Sequence, residues 1–137
     1  MPKSLNFAQA AAVPVASLTA FQALFHAEKG GMVPGQMVLI HGASGGVGSF
    51  AVQLAKSGGV LVAAICVTAN VAYVRTLGAD RVIDYKTEDV SRAVRDWSTE
   101  GVDVVLGRRG TRYCGSGLRH APARRPPGQH PHRNRRW

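Results

Sequence analysis

Two hydrophobic rhythms alternate along this chain. Short, mostly apolar runs stand at Met37-Val38-Leu39-Ile40, Val60 to Val67, Arg81-Val82-Ile83-Asp84 and Val102 to Leu106. Runs of this length and composition predict strands buried on both faces, as in a parallel sheet. The segments between them have helical spacing. Val47 to Lys56 places Phe50, Val52, Leu54 and Ala55 as apolar contacts, and Gly58-Gly59 stops it. Asn70 to Leu77 turns Val71, Val74 and Leu77 inward and ends on Gly78, while Glu88 to Trp97, opened by Thr87, repeats Val90, Val94 and Trp97. Upstream, Asn6 with Gln9 three residues on is a capping box that opens a short helix, which Pro14 ends. A second helix then runs from about Val15 to Glu28, with Leu18, Phe21, Leu24 and Phe25 on one face. Gly30-Gly31 closes it, and Pro34-Gly35 turns the chain into the first strand. The alternation predicts an α/β fold, a doubly wound parallel sheet of about four strands in the order 3-2-1-4.

The junction between the first strand and its helix carries the candidate chemistry. It reads His41-Gly42-Ala43-Ser44-Gly45-Gly46-Val47-Gly48. A strand, a glycine turn and a helix together aim backbone N–H groups and a helix N-terminus at a phosphate. The turn is Ala43-x-Gly45-x-x-Gly48, so Ala43 holds the first position of a G-x-G-x-x-G pattern. Gly45 lets the backbone approach a pyrophosphate, and Gly48 lets helix and strand pack closely. The plain alternative is a glycine-rich turn that only joins two elements. Gly42-x-Ser44-x-Gly46 also fits the nucleophile elbow of hydrolases, although the only downstream histidines are His120, His130 and His132. A P-loop is excluded, since no lysine follows the glycines before Lys56.

Composition changes the picture in one respect. The formal charge of +9 suggests a nucleic-acid partner, but residues 1–106 are neutral and the excess lies in 107–137, which hold nine arginines and no acid. With four prolines and no apolar periodicity, that tail is expected to be disordered. It leaves one competing class of function, a binding module whose arginine arm grips nucleic acid. Cys66 and Cys114 form neither a disulfide framework nor a metal-ligand spacing, which predicts a reducing, cytoplasmic setting. Pro14 and scattered polar residues break the Ala-rich N-terminus, so neither a signal peptide nor a membrane span is expected.

Several segments, in order, resemble the medium-chain dehydrogenase/reductase superfamily, most closely its zinc-less, zeta-crystallin-like quinone oxidoreductase branch. They are A-A-A-V-P-V-A-S-L-T-A-F-Q-A-L, V-L-I-H-G-A-S-G-G-V-G-S-F-A-V-Q-L-A-K, L-G-A-D-R-V-I-D-Y and G-V-D-V-V-L, spanning about residues 5 to 106. The resemblance implies a partial Rossmann domain at 36–106, preceded by linker helices at 1–35. It implies an NADPH-dependent oxidoreductase passing hydride to quinones or α,β-unsaturated carbonyls, and a family-like dimer. Gly45, Gly46 and Val47, within the turn from Gly42 and Ser44 to Gly48, would hold the pyrophosphate. Thr19 would approach the nicotinamide, although a helix hydroxyl satisfied within its own turn reads equally well. Tyr85 would line the adenosine end, against the alternative of an aromatic packed on a loop.

Cofactor choice follows from the residues. An NAD enzyme places an acid about 20 residues beyond the glycines to bind the ribose 2′-OH. From Gly58 to Ala79 there is none, and Cys66, Val67 and Thr68 occupy that corner with Asn70 beyond them. NADP is therefore favoured, and no metal is expected. The substrate domain of the family is not matched, so no catalytic residue is nominated and the chain alone is expected to be inactive. Strands beyond the fourth are not matched either, which leaves an open sheet edge. From Gly107 the text departs from the family. If Gly107-Arg108-Arg109-Gly110 is written GGA CGC CGT GGG and an A follows, reading one base later yields Asp-Ala-Val-Gly, the family's continuation. A single-base slip near codon 106 accounts for the tail.

Overall fold

The computed structural model describes residues 4–26, 31–107 and, as backbone, 110–113. Helix α1 spans Phe7–Phe25, and strand β1, Met37–His41, leads into helix α2, Gly46–Ser57. Strand β2, Leu61–Cys66, a 3-10 turn at Thr68–Asn70 and helix α3, Val71–Thr76, come next. Strand β3, Arg81–Asp84, helix α4, Val90–Trp97, strand β4, Val104–Gly107, and strand β5, Gly110–Tyr113, complete the order. The sheet runs β3-β2-β1-β4-β5, so the order 3-2-1-4 read from the sequence is the observed one. β1 pairs in parallel with both β2 and β4, and β2 pairs in parallel with β3.

Side-chain alternation along these strands builds two layers. Val38, Ile40, Val62, Ala64, Cys66, Val82, Val104 and Leu106 pack with Ala51, Val52 and Ala55 of α2 and Val74 of α3. Leu39, Ala63, Ile65 and Ile83 pack on the opposite face against Ala93 of α4, with Val90, Val94 and Trp97 around it. Apolar runs with no polar alternation are what such a double-sided strand requires. Each crossover ends on local chemistry. Gly59 and Gly78 take positive φ of 73° and 96°, a region that glycine enters without steric cost. Asp89, rather than the expected Thr87, caps α4 by accepting from the Arg92 N–H at 2.8 Å.

The N-terminal region departs most from expectation. Its capping box is present, with Asn6 Oδ1 accepting from the Gln9 N–H at 2.9 Å and Gln9 Oε1 from the Asn6 N–H at 3.0 Å. Pro14, however, lies inside one continuous helix rather than between two. A mid-helix proline removes one N–H and crowds the preceding turn. Here its ring sits on an exposed face of the helix. The helix ends at Phe25, capped by His26, and the expected closure at Gly30 lies outside the described residues apart from Gly31. Its packed face is also rotated from the expected one. Ala20 and Leu24 are buried against the α2 layer with Ala23 and Phe25 beside them, whereas Leu18 and Phe21 are exposed. The leading segment thus shares the core of the nucleotide domain. Uninterrupted, α1 has 19 residues with a mean hydropathy of 1.3 and is long and apolar enough to cross a membrane by length and composition. That corrects the expectation that no stretch reaches this length.

The second departure lies beyond β4. β5 pairs antiparallel with β4, Gly107 opposite Gly110, so the sheet edge beside β4 is covered rather than open. Only two residues lie between these partners, the span of a tight hairpin. The expectation of disorder throughout 107–137 therefore fails at 107 and 110–113, and the remainder of the tail lies outside the described residues.

Candidate cofactor-binding site

The β1–α2 turn is built for close approach. Gly42 adopts φ +66°, and its carbonyl accepts from the Gly45 N–H at 2.9 Å, folding the backbone back on itself. Ala43 is anchored by donating its N–H to Ile65 O at 3.0 Å. A methyl group on Gly48 would stand 2.2 Å from Gly42 O and 2.8 Å from Ala43 Cα, so only glycine fits beneath the turn. On Gly45 a methyl would meet Gly42 O at 3.2 Å, while on Gly46 it would reach open space. The sequence assigned close helix packing to Gly48, and this geometry accounts for it.

α2 begins at Gly46, and no side chain caps it. The first described donor with a partner in that turn is the Ser49 N–H, which donates to Gly45 O at 2.9 Å. The N–H groups of Gly46, Val47 and Gly48 are the helix's orphan donors, at the end where its dipole is positive. Since the Gly45 N–H is already used, Gly45 keeps the turn tight rather than supplying a donor. The turn lies at the C-terminal end of β1, between β2 and β4, where the strand order reverses. Ligands of doubly wound sheets bind in the crevice at that position.

Two predicted residues meet across the turn. Asn70 Nδ2 donates to Ser44 Oγ at 3.0 Å, joining the glycine turn to the corner after β2. The Ser44 hydroxyl accepts there and keeps its own proton to donate. No non-glycine residue among those described has a positive φ, so the strained serine of a nucleophile elbow is not formed. Tyr85 follows β3 with its N–H tied to Cys66 O at 3.3 Å, its ring half exposed and the Lys86 ammonium 5.5 Å from the ring centroid. The Thr19 hydroxyl donates to Val15 O at 2.7 Å within its own helix, the alternative that read equally well in the sequence.

Asp84 is the site residue that sequence reasoning missed. The chain between Gly58 and Ala79 carries no acid, but the register sets Asp84 of β3 beside Cys66 at the same corner. Its carboxylate is buried. The Thr68 hydroxyl holds it below the usual carboxylate range, helped by the Lys86 N–H, the Thr87 hydroxyl and the Lys86 charge, and against the opposing effect of burial. Spent on those groups, it secures the corner. Burial, with the Asp84 charge next to it, pushes the Cys66 thiol up. A depressed folded value means that Asp84 stabilises the fold above its unfolded pKa of about 3.9 and that this contribution is lost as pH falls through the lower folded value. Urea midpoints measured from pH 5 to pH 3 are expected to fall, and Asp84→Asn is expected to flatten that fall.

These elements define a Rossmann-type nucleotide-binding α/β domain. Comparison with known proteins specifies it further. The zinc-binding dehydrogenase family matches residues 46–114. A chloroplast envelope quinone oxidoreductase homolog of Arabidopsis thaliana is 40% identical over 120 residues, covering 85% of this chain and 34% of that protein. A mitochondrial NAD(P)H oxidoreductase of Homo sapiens is 42% identical over 113 residues, covering 80% of this chain and 28% of that protein. The quinone oxidoreductase of Thermus thermophilus, solved alone and with NADPH, superposes with a TM-score of 0.68 at 34% identity, covering 80% of this chain and 35% of that one. The chain belongs to the medium-chain dehydrogenase/reductase superfamily, in its quinone oxidoreductase-like branch. It spans about a third of the length of the relatives it matches.

The cytoplasmic setting read from the cysteines is overturned, because relatives this similar are named as chloroplast envelope and mitochondrial proteins. Cysteine count reports redox environment and does not separate these compartments. The family description includes zinc, yet among the described residues no three of His, Cys, Asp and Glu stand together to hold a metal. The described residues do not fit a zinc site.

Proposed function

We propose that this chain is the dinucleotide-binding portion of an NADPH-dependent oxidoreductase that passes hydride to quinones or α,β-unsaturated carbonyls. The observation that carries the reading is the turn under Gly42, where Gly48 lies too close for any side chain and α2 presents orphan N–H donors at the switch point. The residues fit a pyrophosphate held by Gly46, Val47 and Gly48 N–H groups, with Gly45 leaving room for it. Bound there, the dinucleotide supplies the hydride, and the chain's own groups position it. Asn70 and Ser44 brace the corner that would receive the adenosine ribose, and Tyr85 offers a ring beside it. With Asp84 turned inward, that corner presents no free carboxylate to a 2′-phosphate, which favours NADPH over NADH. The chain alone, a third of its relatives' length, binds without turnover.

Titration of the full chain with NADPH, read by nicotinamide fluorescence, tests this. Saturable binding tighter than that of NADH is expected, with no quinone-dependent oxidation. Gly45→Val presses its side chain on Gly42 O and reshapes the turn, and is expected to weaken binding at least tenfold, a loss of about 1.4 kcal/mol. Equal NADPH affinity in that variant would remove the reading. The competing arginine-arm reading rests on residues outside those described. We also infer that the tail is displaced in frame, and resequencing around codon 106 decides it.

A further inference from the structure

His41 is the last residue of β1 and stands directly before the glycine turn. Alternation puts its side chain on the face of Met37 and Leu39, where the core ends, and it is exposed. Its ring leans across to the neighbouring strand. A methyl group on Gly107, the last residue of β4, would lie 3.8 Å from His41 Cβ and 3.9 Å from Cδ2. The ring therefore bridges the ends of the two strands between which the sheet order reverses. A methyl group at 107 would meet it at ordinary van der Waals distance. We propose that His41 is a cofactor-contacting residue, whose imidazole hydrogen-bonds a phosphate of the dinucleotide from the side of the crevice opposite α2. This inference rests on the dinucleotide reading above and adds to it a side-chain contact that the backbone donors of α2 do not provide.

The protonation chemistry is consistent with that role. Packing against the strand ends takes water from part of the imidazole and holds it below its ordinary value, which favours the neutral form in the free protein. A phosphate beside it favours the charged form, so binding takes up a proton. Of the neighbouring charges, Asp84, Asp89, Arg92 and Asp103 are engaged by other groups. On α4, which packs on this face, Asp89 caps the helix and Arg92 pairs with Asp96 at 3.8 Å, leaving Arg95 in the last turn. On β2, Ile65 is His41's register partner, and Cys66 belongs to the opposite layer. On β3, Asp84 is held by Thr68. β4 holds no titratable residue, and Asp103 before it bonds the Met37 N–H at the far end of β1. β5 places Arg112 opposite Val105 in register.

The test is calorimetric titration of the full chain with NADH and NADPH at pH 6, 7 and 8, in buffers of different ionisation enthalpy. NADH is the sharper probe, since it lacks the 2′-phosphate that itself titrates near pH 6, with a second pKa of about 6. Wild-type affinity for NADH is expected to rise several-fold from pH 8 to pH 6, within the limit of about tenfold that one unit of pKa difference between free and bound imidazole sets. His41→Gln keeps a neutral donor. Its NADH affinity, whatever its level at pH 8, is expected to show no rise at pH 6. Histidine resonances of the wild type give a second readout that needs no variant, and the His41 ring is expected to titrate at higher pH when NADH is bound. The same rise in His41→Gln, or an unshifted His41 resonance, overturns the proposal and leaves the dinucleotide reading standing. Failure of both nucleotides to bind at every pH overturns both.

Discussion

Gly48→Ala is expected to abolish the proposed dinucleotide binding and to destabilise the fold. The added methyl would stand 2.2 Å from Gly42 O and 2.8 Å from Ala43 Cα, both backbone atoms with no rotamer to yield. Relief requires α2 to move away from β1, and the atoms that move are those presenting the orphan N–H groups to the crevice. Overpacking of a tight site costs about 1–3 kcal/mol, and a clash with backbone belongs at the upper end of that range. The shift also spoils donor geometry for any anion, since hydrogen bonds weaken steeply as they bend. Urea denaturation and NADPH titration of the same preparation measure both effects. Gly46→Ala is the control, because its methyl enters open space and the fold is expected to keep its stability. Wild-type binding in Gly48→Ala would show that the turn is only a connector.

Ile40→Ala is expected to be the more severe change for stability. Ile40 is fully buried in the layer between the sheet and α2, paired in register with Ala64 of β2 and Leu106 of β4. Truncation there removes buried methyl groups and leaves a cavity in the central strand, at a cost of about 2–5 kcal/mol. Single domains have only about 5–15 kcal/mol of stability in total. The urea midpoint should fall sharply with an unchanged slope, which reports the same surface exposed on unfolding. Its position, two residues before Gly42, makes a looser glycine turn part of the expected result.

The site is legible in the sequence where its determinants are local. The Asn6 and Gln9 side chains reach each other's backbone over three residues, so their capping box is readable and is observed. Gly42 and Gly78 fill positive φ positions between an apolar run and a helix, or at a helix end, where few other residues fit. Pro14 misleads because a proline rule weighs one position, whereas the helix is decided by its whole length and by burial of Ala20 and Leu24. The packed face of α1 misleads for a related reason. Size points to the large residues as core, but the close approach of α2 selects alanines, and Leu18 and Phe21 stay outside.

By itself, the sequence determined the strand and helix order, the parallel sheet, its 3-2-1-4 arrangement and the glycine turn at its centre. Each follows from apolar runs buried on both faces, from the handedness of crossovers and from glycine's conformational range. Only the tertiary structure decided which distant side chains meet there. Asn70 reaches Ser44 across 26 residues of sequence, Asp84 joins Thr68 at a corner that looked free of acid, and His41 lies beside Gly107. The hairpin that brings β5 onto the edge of β4 belongs to the same class. Those contacts depend on strand register, and register is set by the packing of both layers at once rather than by any one segment of chain.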